Sequence, residues 1–568
     1  MLATSLVPLA LVLAGAAAAS RQDAPSAAGA VPADLVLRGG KIVTVDDANP
    51  EVRALAARGG RIVFLGGDAG VAAYVGADTR VVDLAGRLAL PGFIEGHGHF
   101  LGIGDARLQL DLMHAASWEE IVAMVGAAVK EARPGELIRG RGWHQDKWKP
   151  APEPQVEGLP VHDALSAVSP DNPVVLTHAS GHASFANAKA MAMAGIDART
   201  ADPPGGQIVR DEKGEAIGAF RETAARLLSR AMADATPPSP RRQAELAIEE
   251  LLSKGVTSFQ DAGSSFRDLE LFEAMVADGS MGVRLWVLLR EANSRLRERL
   301  PRSKPYRMGD ARLTLGGIKH GIDGALGSHG AWLLAPYADL PSSSGLNTTP
   351  VELIEESAEI ALEHRLQLCV HAIGDRANRE TLDLFERALA GVPDGKQRRW
   401  RVEHAQHLHP DDVPRFAELG VVASMQGVHC TSDAVFVPER LGAERSKSGA
   451  YPWRALIDSG AVVSNGTDAP VEDVDPLACF HSSVTRRVKD GSIFHPEQRM
   501  TRAEALRSYT RNAAYAAFEE DIKGSLEVGK LADVTVLSRD VMTCPEAEIL
   551  EAQVVLTIVG GEVAYAAE

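Results

Sequence analysis

Residues 88–99 read LALPGFIEGHGH, an apolar run that ends in two histidines separated by one glycine. Side chains at positions i and i+2 of a β-strand point to the same side, so His97 and His99 can face one metal ion. In a chain with 17 histidines such a pair is often incidental, and its meaning depends on what surrounds it. Its position after Pro91-Gly92, at the end of an apolar run, favours a strand that carries chemistry at its C-terminal end.

Seven more apolar segments of strand length follow this run. They are residues 256–263, 283–289, 313–324, 366–375, 400–406, 420–427 and 461–470. The segments between them have helical spacing: in residues 242–255, Ala244, Ala247 and Leu251 share one face, and Gly255 can end the helix. Eight strand–helix units are what a (β/α)₈ TIM barrel requires, so we expect an α/β fold with the barrel over residues 91–515.

Two other regions do not fit the barrel repeat. Both chain ends, residues 33–90 and 516–568, contain short alternating strands, which indicates one small β domain assembled from both ends. The stretch from about 105 to 240 is too long for one barrel helix. We interpret it as an inserted α/β lid that covers the barrel mouth and shapes the substrate pocket.

Charged and imidazole side chains close several of the predicted strands. His371, His404 and Asp468 each end a separate apolar segment. The C-terminal ends of barrel strands meet at one face, so these residues should converge on His97 and His99. Imidazole and carboxylate are ligands of zinc, and catalytic zinc sites leave one position open for water. The pattern therefore predicts a metal site of the catalytic type at the C-terminal end of the barrel.

Four motifs and the C-terminal stretch resemble the amidohydrolase superfamily, and within it the amidohydrolase family 3 branch that includes N-substituted formamide deformylases. LPGFIEGHGHF resembles the first-strand motif of that family, VHAIGD and VEHAQ its fifth- and sixth-strand histidine motifs, and NGTDAPV its eighth-strand aspartate. The closing stretch GSLEVGKLADVTVL resembles the family's return into a β-sandwich beside the barrel. The resemblance covers nearly the whole mature chain.

The resemblance implies roles for the strand-end residues. His97 and His99 would hold the more buried metal, and His371 and His404 the second. Asp468 would contact a metal and act as general base, taking a proton from the attacking water and giving it to the leaving amine. The implied reaction is hydrolysis of a non-peptide, or small peptide-like, C–N amide bond of a small molecule by zinc-activated water.

Two further residues enter through the resemblance alone. Lys319 occupies the fourth-strand position where relatives use a carbamylated lysine to bridge two metals; the alternative is a protonated Lys319 and a single metal. His182 matches a motif on the inserted lid, where it would contact the substrate or its oxyanion, or only make a structural hydrogen bond. Ser180 stands where relatives have Asp, which puts a shared role of that pair in doubt.

Several neighbouring residues have less specific interpretations. Trp143 matches a family motif, but His144 follows it where relatives often have Asp, so the pocket wall should differ from that of the deformylases. Asp323 either supports the metal ligands from behind or forms a turn before Gly324. The remaining histidines without a strand-end position are expected in loops or on the surface: His320, His329, His407 and His409.

Two other functions compete with amide hydrolysis. Deaminases of the superfamily carry a fifth-strand HxxE motif, whereas Gly374 and then Asp375 follow at that place after His371. That difference and Lys319 disfavour a heterocycle aminohydrolase. A non-catalytic periplasmic binding or regulatory protein could keep the fold, but such a protein should have lost metal ligands, and all of them are present here.

The N-terminus and the charge suggest where the protein acts. Residues 6–19 (LVPLALVLAGAAAA) are too short for a membrane span and suit a signal peptide over residues 1–19, with a linker over 20–32, although no Lys or Arg precedes them. We therefore expect a secreted or periplasmic protein with no membrane contact after cleavage. The net charge of −17 argues against nucleic acid as a partner. The four scattered cysteines indicate neither disulfides nor a structural zinc site, and the pattern favours no particular oligomeric state.

Overall fold

The computed structural model describes residues 30–232, 239–300 and 307–567, so the predicted signal peptide lies outside the described residues. Eight parallel strands form a nearly closed barrel in chain order. They are β1 (Phe93–Gly98), β2 (Val256–Ser264), β3 (Arg284–Leu289), β4 (Leu313–Gly321), β5 (Gln367–Ala372), β6 (Arg401–His404), β7 (Val422–Gln426) and β8 (Val463–Gly466). The first and last strands meet just past their C-terminal ends, where the Asp468 N–H donates to the His97 carbonyl at 2.8 Å. The predicted TIM barrel is confirmed.

The strands form where the sequence is apolar on both faces. Every residue of β3 (RLWVLL) and of β5 (QLCVHA) is buried, as expected for parallel strands with helices on one side and a packed barrel interior on the other. The described helices of the barrel follow the strands and bury one face each. The longer ones are Pro240–Ser253, Phe266–Ala277, Val351–His364, Asp375–Leu389 and Pro476–Thr485; the shorter ones include Phe100–Ala106, Asn293–Arg299, Val413–Leu419, Gly427–Ser432, Val437–Leu441, Ala443–Gly449, Trp453–Asp458, Arg502–Ser508 and Arg511–Ala516.

The run that opened the sequence analysis is two strands rather than one. Leu88–Pro91 belongs to the end domain and β1 belongs to the barrel, with the break at Gly92. A Cβ at Gly92 would overlap the side chain of Thr257 on β2, so only glycine allows this close approach. The apolar pattern continues through the break because both strands are buried, which is why the sequence does not reveal it.

Both chain ends contribute to one β domain, as expected. A six-stranded sheet contains strands from both ends, in the order Glu562–Ala566, Val554–Val559, Val534–Leu537, Leu88–Pro91, Lys41–Val43 and Glu51–Val52. A four-stranded sheet is built from Arg61–Gly66, Ala54–Arg58, Leu35–Arg38 and Arg80–Asp83. Side chains from both sheets, among them Leu37 and Val536, share one hydrophobic core. A buried ion pair between Arg284 of β3 and Asp533, at 2.7 Å, ties this domain to the barrel.

The insertion between β1 and β2 folds around its own six-stranded sheet. Its strands are, in sheet order, Gly206–Arg210, Ala216–Glu222, Ala183–Ala186, Val174–His178, Ile138–Trp143 and Leu110–Asp111. The helices Trp118–Glu131, Asp163–Val168 and Ala188–Ala194 pack with it, and aromatic side chains such as Trp118, Trp143 and Phe185 fill its core. No helix within the described ranges is long and apolar enough to cross a membrane.

Candidate metal centre and active site

The end of β1 and the loop after β8 bring three ligand-type side chains together. The Asp468 Oδ1 atom lies 3.4 Å from His97 Nε2 and 3.2 Å from His99 Nε2. Ligand atoms from all three side chains lie within 4.8 Å of one another. His97 and Asp468 are buried, whereas His99 is partly open to the mouth. This group can hold a metal ion and leave one side of it accessible.

His371 and His404 extend the group into a continuous cluster of imidazoles. The His371 and His404 ring centroids are 4.5 Å apart, and those of His97 and His404 are 4.7 Å apart. His404 has a φ of +75°, an uncommon conformation for a residue other than glycine, and it ends β6. Such strained residues concentrate at functional sites. The structure thus brings all five predicted strand-end ligands to one place.

Lys319 lies beside this cluster on β4. It pairs in register with Cys369, two residues before His371, and its side chain is buried. Burial lowers the pKa of Lys319 to about 8, against the opposing effect of the negative charge of Glu403. About a tenth of its amine is therefore neutral at pH 7, far more than for an unperturbed lysine, and the neutral form is the one that reacts with carbon dioxide.

The chemistry of these side chains fits a divalent metal. His97 Nε2, His371 Nε2 and Asp468 Oδ1 are buried without a hydrogen-bond partner among the described residues. Unpartnered buried polar atoms cost roughly 1–3 kcal/mol each, so they need a ligand. Burial lowers the pKa values of His371 and His404 well below the usual range, which keeps both rings in the neutral form that binds metals.

Asp468 remains ionised despite its burial. Burial alone would raise the pKa of Asp468, but its close contacts with the His97 and His99 rings and the charges of His97 and His404 outweigh that effect and hold it well below the usual range. Its φ of +59° turns the chain sharply after β8 and presents the carboxylate to the histidines. Asp468 can therefore act both as a metal ligand and as a proton acceptor.

A layer of hydrogen bonds behind the cluster fixes the orientation of the rings. Glu403 contacts His97 Nδ1 and pairs with Arg401 at 2.7 Å, so its carboxylate aims the other ring nitrogen of His97 at the centre. Gln426 Oε1 lies 2.7 Å from His404 Nδ1 and does the same for that ring. Burial raises the pKa of Glu403, but the charges of Arg401 and His97 outweigh this and lower it far below its usual range.

The Asp323 carboxylate lies behind the predicted metal ligands and bonds to distant loops rather than to a local turn before Gly324. Its carboxylate accepts three backbone N–H bonds, from Trp332 at 2.9 Å, Ile373 at 3.0 Å and Gly374 at 2.8 Å. One oxygen lies 3.4 Å from His371 Nε2. Burial raises the pKa of Asp323 to about 7, and the backbone hydrogen bonds oppose this rise. Asp323 thus holds the loop after β5 and lies next to a predicted metal ligand.

The insertion places His182 over the cluster. The His182 ring centroid is 5.0 Å from that of His371, and its Nδ1 lies 2.7 Å from Glu222 Oε2. Burial lowers the pKa of His182, but the charge and hydrogen bond of Glu222 outweigh this and raise it. Ser180, which stands where relatives have Asp, accepts the His182 backbone N–H at 3.2 Å, so this position organises the loop.

A cavity of about 540 Å³ opens beside the cluster. Its lining includes Leu326 and Phe436 together with His144 and Asp433. Trp143 does not reach this cavity: it is buried in the insertion, where its indole N–H donates to the Leu176 carbonyl at 3.0 Å. The family motif at this position therefore contributes His144, rather than the tryptophan, to the pocket wall.

His407 lies in the connecting segment after β6, as expected for a loop residue, but it is not on the surface. Its side chain is buried at 2% exposure and its ring packs against Tyr451. His409 is partly exposed, as expected. The expectation is wrong for His320, which is a residue of strand β4 and lies 2.7 Å from the Ser357 hydroxyl. His329 lies between described strands and helices, as expected, at 3.0 Å from Asp339.

The sequence of the chain matches a known protein family. The amidohydrolase family matches residues 80–565. This chain belongs to that family. The amidohydrolase is 34% identical over 551 residues to protein LONG AFTER FAR-RED 3 of Arabidopsis thaliana, covering 94% of this chain and 92% of that protein. It is 29% identical over 543 residues to the N-substituted formamide deformylase of Arthrobacter pascens, covering 94% of this chain and 98% of the relative.

A solved structure agrees with the family assignment. An uncharacterised metal-dependent hydrolase from Pyrococcus furiosus superposes on this amidohydrolase with a TM-score of 0.69 and 28% sequence identity, over 90% of this chain and all (100%) of the other. The resemblance predicted from four short motifs is thereby confirmed. Hydrolase chemistry and metal dependence follow for the family to which this amidohydrolase belongs.

Sequence reasoning missed Glu403, Gln426 and Glu222, which position the predicted residues. Glu403 has a detectable signal, because it is an acidic residue directly before the strand-end histidine of β6 (RVEH). Glu222 has none, since it lies 40 residues from His182 and meets it only through the antiparallel pairing of Ala183–Ala186 with Ala216–Glu222.

Proposed function

We propose that this amidohydrolase hydrolyses a non-peptide C–N amide bond of a small molecule, with zinc or a similar divalent metal as cofactor. The observation that carries the proposal is the cluster of four histidines and Asp468 at the C-terminal end of the barrel, in which His97 Nε2, His371 Nε2 and Asp468 Oδ1 are buried without a hydrogen-bond partner among the described residues. The cluster lies in a recess lined by the insertion residue His182 and by barrel-loop residues such as Leu326 and Phe436, which supports a small-molecule substrate.

Asp468 is the proposed general base. A bound divalent metal supplies two effects, polarisation of the scissile carbonyl and a lowered pKa of water. Asp468 accepts the proton from the attacking water and transfers it to the nitrogen of the leaving amine. Its low pKa suits this role, because it stays ionised over the neutral range and a weak base suffices for an acidified water.

Lys319 decides the number of metals in the proposal. A neutral amine reacts with carbon dioxide to give a carbamate, whose two oxygens can each bind one metal ion. Two features support the carbamate. The pKa of Lys319 is lowered to about 8, and Lys319 pairs across the sheet with Cys369, which lies two residues before His371 on β5. The alternative is a protonated Lys319 that pairs with a carboxylate and leaves a single metal site.

His182 is proposed to contact the substrate carbonyl oxygen. Glu222 holds its Nδ1, and the raised pKa favours the imidazolium form, in which both ring nitrogens donate. Its ring lies 5.0 Å from that of His371 and its side chain is 27% exposed, so it can reach a substrate bound at the cluster. A cationic donor there would stabilise negative charge on that oxygen during attack.

Deamination of a heterocycle has less support. The deaminase HxxE motif needs a glutamate three residues after His371, and this position is Gly374. A Cβ there would overlap the Trp332 carbonyl, so the surrounding backbone leaves no room for any side chain. The fold of the β5 loop therefore disfavours a proton-shuttling glutamate at this place.

Two measurements on one preparation test the proposed function. Metal content per chain is determined by plasma mass spectrometry, with one or two zinc-type ions expected. Amine release from N-substituted formamides, N-acyl amino acids, small dipeptides and carbamates is then measured with and without a chelator. A chain that binds no divalent metal would favour the non-catalytic alternative. Chelator-insensitive turnover would contradict metal dependence.

We also propose that the protein is secreted or periplasmic. The basis is the apolar segment of residues 6–19, which suits a signal peptide. Mass spectrometry of protein from a secreting host should find a mature chain that starts near Ser20 or Arg21. Soluble cytoplasmic protein with an intact Met1 would overturn this proposal.

A further inference from the structure

The mouth of the barrel has a second polar region at the ends of β3 and β4. Arg290 is the first residue after β3. Leu289 pairs with Ile318 of β4, so Arg290 lies beside Lys319 on the neighbouring strand. Leu289 and Ile318 both pack in the main core, and successive residues of a strand point to opposite faces. Arg290 and Lys319 therefore point together towards the barrel interior and its mouth.

Arg290 differs from Lys319 in being exposed, although protein surrounds it on several sides. Its aliphatic carbons would lie 3.1–3.2 Å from a Cβ at Gly263 of β2, so its stem runs along that glycine. Its backbone N–H donates to the Ser264 carbonyl at 2.9 Å. Contact with Gly263 thus supports one side of the stem, and the backbone bond fixes the start of the side chain.

Among the described residues, no carboxylate lies within ion-pair distance of Arg290. The same holds for Arg226, an exposed residue in the insertion segment Thr223–Leu228 that lies near enough to Arg290 for their charges to interact. Other arginines of this neighbourhood are paired: Arg295 with Glu291 at 3.1 Å and Arg221 with Glu157 at 2.6 Å. Arg290, beside Lys319, thus has a second unpaired guanidinium nearby and no carboxylate partner of its own among the described residues.

The positive charge of Arg290 affects the pKa of its neighbours in the site. Burial lowers the pKa of Arg290, the charge of Arg226 lowers it further, and Glu222 opposes both. Arg290 in turn contributes to lowering the pKa of Lys319. Two like charges at short range are unfavourable without a counter-ion, so this arrangement suits a ligand that brings negative charge.

We propose that Arg290, assisted by Arg226, binds a carboxylate group of the substrate. The proposal rests on the proposed amide hydrolysis and narrows its substrate class to amides that carry a carboxylate near the scissile bond, as in an N-acyl amino acid. The substrate would span the metal cluster, with its carboxylate at Arg290 and its apolar part in the cavity of about 540 Å³.

A carboxylate fits better than a phosphate. The planar guanidinium presents two parallel N–H groups that match the two oxygens of a carboxylate. The ionised Asp468 and the carboxylate of Glu222 lie on the inner side of the same mouth and repel added negative charge. A singly charged ligand is therefore accommodated at lower cost than a dianion.

Binding of inert analogues tests the anion site without turnover. The probes are N-methylsulfonyl-leucine, whose sulfonamide resists hydrolysis, and its neutral carboxamide, with calorimetry on metal-loaded full-length protein. The wild type should bind the acid about 10- to 100-fold more tightly than the carboxamide, since a hydrogen bond to a charged group contributes about 1.5–3 kcal/mol. Arg290→Gln should abolish this preference and Arg290→Lys should retain part of it.

The control is Arg295→Gln, which removes an ion-paired arginine five residues away and should leave the acid preference unchanged. Equal binding of acid and carboxamide by the wild type, no binding of either at millimolar concentration, or an undiminished preference in Arg290→Gln would each overturn the proposal. Hydrolysis is measured separately on N-acetyl-leucine and N-acetyl-leucinamide. Acid-selective binding without hydrolysis of any amide would leave the anion site standing and reject the proposed function.

Discussion

The floor and the rim of the barrel mouth are built in different ways. On the floor, His97, His404 and Asp468 are buried, and partners such as Glu403 and Gln426 fix the rings. On the rim, Arg290 and Arg226 are exposed and unpaired within the described ranges. A centre that performs chemistry needs fixed geometry, whereas a rim that selects substrates needs free functional groups. Changes on the floor should therefore affect every substrate, and changes on the rim should depend on the substrate.

Asp468→Asn should have the largest effect. Asn is nearly isosteric and tolerates the left-handed φ of +59° at this position, so the fold and most bound metal should persist. Asn cannot accept the water proton at neutral pH, and we expect kcat to fall by at least about 10²–10⁴ for every substrate. Turnover and metal content are measured on the same sample. Wild-type-like turnover would contradict the role of Asp468 as base.

Lys319→Ala tests the composition of the floor. If Lys319 carries a carbamate, the variant should lose one of two metals and most activity, and a short carboxylic acid in the buffer should restore part of both. The matched control is Lys523→Ala, which removes a lysine that is equally buried but paired with Glu519 at 2.5 Å. It should change stability and leave the metal count alone.

The wild type itself can contradict the carbamate. One metal per chain, together with an unmodified Lys319 by carbon-13 NMR near neutral pH, would support the protonated alternative. The pH matters because carbamates are lost in acid.

Glu403→Gln tests how much the hydrogen-bonding residues behind the floor contribute to metal affinity and to stability. The change removes the charge that orients His97 and pairs with Arg401, so metal affinity should fall by about 10- to 100-fold. The unpaired Arg401 should also destabilise the fold, by about 3–5 kcal/mol if the pair behaves like other broken buried pairs.

Glu519→Gln is the control for that experiment, because Glu519 is equally buried and ion-paired but contacts Thr314 and Lys523 rather than a histidine. It should lower stability without changing metal affinity. A parallel loss of metal affinity in both variants would mean that general destabilisation, rather than ring orientation, is responsible.

The metal ligands on the floor could be predicted from the sequence, whereas the insertion residues that reach the mouth could not. His97, His99, His371, His404 and Asp468 end apolar strands, and parallel strands of a barrel must bring their C-terminal ends together. One-dimensional order is enough for that inference. Glu222 and Arg226 reach the site only through the folding of the insertion, whose strands pair in the order 206–210, 216–222, 183–186, 174–178, 138–143 and 110–111. No periodicity in the sequence fixes which of its residues face the barrel.

Arg290 illustrates a signal that was present but not used. It directly follows the apolar run of residues 283–289, as Asp468 closely follows β8, so it too lies at the end of a predicted barrel strand. Arginine is not a metal ligand, so the search for metal ligands at strand ends does not select it. His320 and His407 show a different limit of the pattern: neither ends an apolar segment, yet His320 lies within β4 and His407 is buried against Tyr451.

Glu222→Gln should have the smallest effect and one that depends on pH. The charge of Glu222 raises the pKa of His182 above its ordinary value of 6.5, against the opposing effect of burial. Without that charge, burial dominates and the pKa of His182 falls. If the imidazolium assists catalysis, the alkaline limb of the kcat/KM profile should move to lower pH, with about a three- to tenfold loss at neutral pH, because one pKa unit is a tenfold change in protonated fraction.

The same shift has a consequence for stability. A group whose folded pKa is raised contributes stability that is fully present below its unfolded pKa and is lost as pH rises through the folded pKa. The His182–Glu222 pair should therefore stabilise the wild type below about pH 6.5 and lose this contribution at higher pH, whereas Glu222→Gln should not show it. Glu157→Gln, which removes a carboxylate paired with Arg221 in the same insertion, controls for changes in the insertion fold. An alkaline limb that stays at the same pH in Glu222→Gln would show that Glu222 does not set the charge of His182.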